Sequence, residues 1–157
     1  MGKNGNELDR KVRQYLDAHN VATLATCDRQ GPWAAAVFYV CDGGTFYFLS
    51  APDSRHALAL NENPQVALSV QEDYRDWREI KGVQLEGVAT ELAGEEEELA
   101  RRLYGGKFPV VGVLAKAPSS IVKALGKVRW YKVTPRRLYF IDNSLGLGHR
   151  EELDPAK

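Results

Sequence analysis

Val21-Ala22-Thr23-Leu24-Ala25-Thr26-Cys27, Asp28-Arg29-Gln30-Gly31-Pro32, Trp33-Ala34-Ala35-Ala36-Val37-Phe38-Tyr39-Val40-Cys41, Asp42-Gly43-Gly44 and Thr45-Phe46-Tyr47-Phe48-Leu49-Ser50 form one unbroken run that decides the fold. Val21–Cys27 is rich in β-branched residues and reads as a strand. The Asp-Arg-Gln-Gly-Pro segment is a strong turn signal. Trp33–Cys41 reads as a second strand. Asp42-Gly43-Gly44 is a hairpin turn whose glycines can take φ > 0. Thr45–Ser50 reads as a third strand. Strands joined by tight turns make an antiparallel meander.

Upstream, Leu8, Val12, Tyr15 and Leu16 recur at helical spacing. They predict a helix from about Asn6 to His19, with Asn6 as its cap. Residues 1–5 read as disordered. Downstream, a short helix is expected from about Ser54 to Glu62, ended by Pro64. Val66–Val70 is a strand, and Gln71–Glu79 a polar loop carrying Trp77. Ile80–Leu92 is a long strand in which Val83, Leu85, Gly87 and Ala89 alternate with Gln84, Glu86, Val88 and Thr90. Gly82 and Gly87 point to a bulge or a close backbone approach. Glu95–Tyr104 is an acidic-start helix, broken by Phe108-Pro109. Residues 110–125 are expected to hold one or two short helices, a candidate lid. Lys127–Thr134 and Arg137–Asp142 read as two strands separated by Pro135. The tail from Asn143 is Gly-rich and then charged. The expected fold is mainly β (α+β), an antiparallel barrel of roughly six to seven strands with peripheral helices, in one domain over residues 1–157.

The chain has 157 residues and is 44% hydrophobic. A chain of this size buries about 70% of its unfolded surface, so one core needs no staple. Lys+Arg and Asp+Glu are both 21, giving a formal net charge of zero. Such a protein has no general attraction to nucleic acid or anionic lipid, and neither partner is expected. Cys27 and Cys41 are too few for a disulfide framework and, lying on strands, are expected to be buried and inert. His19, His56 and His149 lack metal-ligand spacing, and no metal site is expected. Met1–Arg10 has no apolar signal region, and no run is long enough to span a bilayer. The expectation is a cytoplasmic protein with reduced thiols.

Few residues can carry chemistry. Ser50-Ala51-Pro52-Asp53-Ser54-Arg55-His56 sits where a strand ends and a helix begins. A helix N-terminus offers unpaired N–H groups and partial positive charge. Ser54 adds a hydroxyl, Arg55 a planar donor fork and His56 a further donor, so the stretch can cradle a phosphate. Many helices begin this way, so taken alone the stretch reads first as an ordinary capped helix start with a solvated arginine. Lys81 and Gln84 can face a ligand at a barrel seam, or be the solvent side of an alternating strand. Trp130-Tyr131 can stack on an aromatic ligand or belong to a core or dimer interface. Gly105-Gly106-Lys107 lacks the rest of a P-loop. The basic residues Lys123, Lys127, Arg129, Lys132, Arg136 and Arg137 read as a solvated face. No nucleophile–histidine–acid set can be assembled, so no catalytic residue is assigned.

These motifs, in this order, resemble the pyridoxamine 5′-phosphate oxidase-like FMN-binding split barrels over about residues 8–148. Val21–Thr26, the Gly-Pro turn and Phe38-Tyr39-Val40 are similar to that family's opening hairpin. Ser54-Arg55-His56-Ala57 with Leu60, Asn63-Pro64 and Val66 resembles its phosphate-binding helix and next strand. Gly82-Val83-Gln84-Leu85-Glu86-Gly87 resembles its central strand. Ile80-Lys81-Gly82-Val83-Gln84, Phe108-Pro109-Val110 and Asp142–Gly148 are similar to the YhbP-like branch. The resemblance implies a split β-barrel homodimer with two FMN sites at the subunit interface. It places the phosphate on Ser54, Arg55 and His56. It places the flavin and ribityl chain along the backbone of Ala36, Val37 and Phe38, with Leu49 and Ser50. Further contacts fall on Lys81 and Gln84, and on Trp130 from the facing subunit. The family commonly has Lys where His56 stands, so charge there depends on pH. Gly148-His149-Arg150-Glu151-Glu152 departs from the family's Arg-containing substrate motif, which argues against pyridoxamine phosphate as substrate.

The implied function is an FMN-dependent oxidoreductase acting on an unidentified small molecule. The cofactor would carry the chemistry, which accounts for the absent acid–base pair. The alternatives are a non-catalytic flavin- or haem-binding or sensing protein, with His56 or His149 as axial ligand, and a dimeric scaffold without cofactor. The deazaflavin F420 is a further candidate in place of FMN.

Overall fold

Turn chemistry dictates the first pairings. The computed structural model describes residues 2–109 and 118–155, and of residues 2–6 and 121 the backbone alone. β1 (Val21–Asp28) and β2 (Gly31–Asp42) pair antiparallel, from Val21–Phe38 to Asp28–Gly31. The Asp28 carboxylate accepts the Gln30 N–H at 2.8 Å and holds the turn. β3 (Thr45–Ser50) returns through Gly43 and Gly44, at φ 55° and 83°. A two-residue turn of that hand matches strand twist and favours glycine.

After α2 (Arg55–Glu62), β4 (Gln65–Gln71) pairs with the other edge of β1. β5 (Lys81–Glu91) pairs with β4, and β6 (Arg129–Asp142) with β5. β6 then meets β3, from Phe46–Val133 to Ser50–Arg129. This last pairing closes an antiparallel barrel in the order β3-β2-β1-β4-β5-β6. One edge of β6 serves β5 along its length. The other serves β3 with its first half and β7 (Arg150–Leu153) with its second.

Strand alternation sends Leu24, Tyr39, Phe46, Phe48, Val70, Val83 and Val133 inward, where all are fully buried. α1 (Gly2–Ala18) covers this core with Val12 and Leu16. The Tyr39 hydroxyl donates to the Leu16 carbonyl at 2.8 Å. The Lys107 ammonium donates to the Leu16 and His19 carbonyls at 3.2 and 2.6 Å, a cation placed where a helix C-terminus favours one. Lys107 ends α3 (Glu95–Lys107), which lies on the outer face of β2, β3 and β6. There it buries Val40, Tyr47, Leu92, Ala100, Tyr104 and Trp130. Glu95–Glu98 occupy its first turn, complementing the helix dipole. Among the described residues no helix is long and apolar enough to cross a membrane.

The two strands expected around Pro135 are one. β6 runs through Pro135, and its register against β5 shifts between Glu86 and Gly87. Gly87 faces Pro135 and Glu86 faces Arg137, leaving Arg136 as the extra residue of a bulge. A bulge releases one ladder hydrogen bond, so a residue without N–H fits there. A side chain on Gly87 would collide with the Thr134 carbonyl oxygen, and one on Gly82 would come within 2.9 Å of the Val70 carbonyl. Gly87→Ala is therefore expected to destabilise the fold by about 2–3 kcal/mol, read as a lower urea midpoint. An unchanged midpoint would mean that β5 and β6 part here without cost.

Other boundaries also differ. The α1 backbone is helical from Gly2, earlier than its apolar spacing requires, because extending a formed helix is cheap next to starting one. Cys27 is exposed, since it alternates outward with Val21, Thr23 and Ala25. Cys41 is mostly buried, and burial pushes its thiol up to about 12. Within the stretch expected to be helical, α4 covers Ser119–Leu125. Residues 110–117, with Val110 of the Phe-Pro-Val motif and most of the candidate lid, lie outside the described residues. The Asp142–Gly148 motif is a structural knot. Asn143 donates to the Trp77 carbonyl at 2.8 Å and accepts from Gly148 N–H at 3.0 Å.

Candidate functional site

β3 delivers Ser50 to the rim of the barrel, and a tight turn brings the chain back on itself. Ser54 N–H donates to the Ala51 carbonyl at 3.1 Å. Ser54 then caps α2, its hydroxyl accepting from Ala57 N–H at 3.3 Å. This geometry places three polar side chains at one point. His56 Nε2 lies 2.5 Å from Ser50 Oγ and 3.3 Å from Ser54 Oγ, and the two hydroxyls are 3.0 Å apart. Ser50 is buried, and burial lowers the pKa of His56, favouring neutral imidazole. The N–H groups of Arg55 and His56 precede the helical ladder, whose first bonds involve Ala57 and Leu58. Hydroxyls, an imidazole and helix-start amides converging on one rim suit a phosphate-like oxyanion.

Arg55 stands beside them. Its guanidinium lies 4.4 Å from the centroid of the Trp33 ring. Trp33 is the third residue of β2 and is half-exposed. Reading the sequence assigned Trp33 to a strand and no more. The available signal was a large aromatic directly after a Gly-Pro turn, and nothing local tied it to residues over twenty positions further on.

The other candidates fall in separate places. Ala36, Phe38 and Gln84 point outward, on a face that also carries Thr23, Ala25, Ala34 and Ser69. Its side chains are small at the centre, and Phe38 at its edge is 56% exposed. The Val37 side chain points the other way, into the core. Leu49 and Trp130 are register partners beneath α3. Trp130 is 3% exposed, enclosed by Tyr104 and with Arg101 over its ring, and its indole N–H has no partner among the described residues. It faces a helix of its own chain.

Lys81 is remote from Ser50. The register sets Lys81 against Asp142 at one end of β6, and Ser50 against Arg129 at the other. The Lys81 ammonium is 3.9 Å from the Asp142 carboxylate. It lines an open groove of about 610 Å³ with Tyr15, Tyr74, Arg78 and Ser144. None of Ser50, Ser54, Arg55 and His56 reaches that groove.

A closed antiparallel barrel with an extra strand on β6 defines a split-barrel protein. The family model of pyridoxamine 5′-phosphate oxidase matches residues 8–142. The chain belongs to this family, in the UPF0306 (YhbP) branch. The UPF0306 protein of Photorhabdus laumondii is 30% identical over 149 residues, covering 94% of this chain and 96% of its own. The UPF0306 protein YhbP of Escherichia coli O157:H7 is 30% identical over 141 residues, covering 88% of each chain. Among solved structures, HutZ, the heme storage protein from Vibrio cholerae, superimposes with TM-score 0.66 at 20% identity. That match covers 82% of this chain and 90% of HutZ, a likeness of fold.

Proposed function

We propose that the protein binds FMN and acts as a flavin-dependent oxidoreductase on a small molecule, as a cytoplasmic homodimer with the flavin at the subunit interface. The observation that carries this reading is the Ser50–Ser54–His56 cluster at the start of α2 with Arg55 alongside. The donor set fits a phosphomonoester: two hydroxyls, one imidazole, one guanidinium and the amides of a helix start. Bound flavin would supply the two-electron chemistry. The chain's part is to hold the phosphate, orient the ring and keep water from it.

The small side chains of Thr23, Ala25, Ala34 and Ala36 leave room for a planar ring above β1 and β2. Gln84 can donate or accept at its edge. An exposed face of this kind, bordered by Phe38, also suits contact with a second copy. Cys41 is kept as an inert thiol by burial, and among the described residues no carboxylate hydrogen-bonds His56 to complete a nucleophile–histidine–acid set with Ser50.

The test is the visible spectrum of the protein after incubation with FMN and desalting. A retained two-banded flavin spectrum that bleaches with a reductant and recovers in air supports the reading. A Soret band in protein as purified would instead move it toward the haem chemistry in the name of HutZ. A colourless protein after both treatments would withdraw the cofactor and leave the fold.

A further inference from the structure

We propose that Trp33 is a positioning residue for the ligand's phosphate. Its indole face holds the Arg55 guanidinium in place and leaves the hydrogen-bonding edge of that guanidinium for the ligand. The inference rests on the phosphate reading of the Ser50–His56 cluster.

Arg55, like Arg150 over Tyr139, is held by an aromatic ring where several other arginines are held by a carboxylate. Arg29 meets Glu62, Arg78 meets Asp76, Arg101 meets Glu97 and Arg137 meets Glu152, each within salt-bridge distance. Among the described residues no carboxylate pairs with Arg55. Its contact is the Trp33 ring, 4.4 Å from Cζ to centroid.

The difference matters chemically. A carboxylate would occupy the guanidinium fork and cancel its charge, which are the two things a phosphate needs. An aromatic ring touches the flat face and uses neither. Tryptophan offers the strongest π-face for this purpose. An arginine already confined over a ring also loses less freedom when a ligand arrives. The backbone sets the distance. β2 begins at the Gly31-Pro32 turn, and α2 packs against β1 and β2, which brings Arg55 at its start to Trp33. Trp33 is 41% exposed, so its ring is a surface platform more than a part of the core.

The experiment titrates Trp33→Leu and Trp33→Phe with FMN and with riboflavin, which lacks the phosphate, each also in an Arg55→Ala background. Melting curves accompany every variant. Trp33→Leu is expected to weaken FMN binding roughly fivefold, as the loss of one exposed cation–π contact implies. Trp33→Phe should keep most of the affinity, riboflavin binding should not change, and in the Arg55→Ala background the Trp33→Leu loss should vanish. Equal losses for FMN and riboflavin would overturn the inference, because Trp33 would then contact the flavin ring. Unchanged FMN affinity, or a Trp33 effect that adds fully to Arg55→Ala, would overturn it as well. If the unaltered protein binds no FMN, the phosphate reading itself falls and this inference with it. If it binds FMN and only the coupling is missing, the inference alone fails.

Discussion

Arg55→Ala is expected to weaken FMN binding by roughly ten- to a hundredfold, because a charge-assisted contact is worth about 1.5–3 kcal/mol. Riboflavin binding is expected to stay unchanged. The two ligands share everything except the phosphate, so their ratio isolates the contact in question. Quenching of flavin fluorescence on titration reads both affinities. The side chain is exposed and lies on the indole face of Trp33, so its loss removes little packing. A fall in FMN affinity with an unchanged melting curve therefore reports binding and not stability. Equal FMN affinity in both proteins would return Ser54 and Arg55 to the role of a capped helix start.

The second large effect is a pH dependence set by His56. Burial lowers its pKa, so the unliganded imidazole is neutral near pH 7. Its Nε2 points at two hydroxyls that can equally receive or give a proton. A phosphate dianion favours the imidazolium. Binding then takes up a proton, and affinity rises as pH falls, by up to about tenfold per unit where the free imidazole is neutral and the bound one charged. Below about pH 6 the phosphate gains its own second proton and the rise flattens. The stability of the unliganded protein moves the other way. Because the folded pKa is lowered, the contribution of His56 is whole above about 6.5 and is lost as pH falls through the lowered value. The charged neighbours are Asp53 and Arg55 along the chain. Arg129 sits across from Ser50, 3.5 Å from the Glu91 carboxylate. His56→Gln should flatten both trends. Calorimetry in two buffers of different ionisation heat reads the proton uptake directly. A slope that survives His56→Gln would place the titrating group elsewhere.

The readable parts of this chain were those in which a local rule met no tertiary rival. The β1–β2–β3 meander follows from a Gly-Pro turn and a Gly-Gly turn, and α2 from a serine cap and Pro64. Gly82 and Gly87 announced the close approaches that the backbone makes. Pro135 misled because a proline in a strand has two meanings, a break or a bulge. Only the register against Gly87 decides between them. β7 was hidden because Arg-Glu-Glu-Leu carries one apolar residue, as suits an edge strand half in solvent. Cys27 was misplaced by one step of a two-residue period, which reverses the face. The site was legible in its types and not in its assembly. The order Ser-Arg-His suggested a cradle, yet the Ser50–His56 contact depends on how β3 ends. Trp33 joins Arg55 only after α2 has folded back over β1 and β2.

The shared edge of β6 also governs the order in which the molecule can be made. As the chain leaves the ribosome, β1 to β5 can assemble as an open sheet with β3 and β5 as its two bare margins. Both margins wait for the same late segment, and β3 waits across roughly eighty residues, a span whose closure costs entropy. Until Arg129–Val133 emerges, the aromatic row Phe46, Tyr47 and Phe48 has no neighbour on that side. A stall or truncation before that point leaves an apolar sheet with two unpaired borders, the form in which such a chain meets chaperones or other copies of itself.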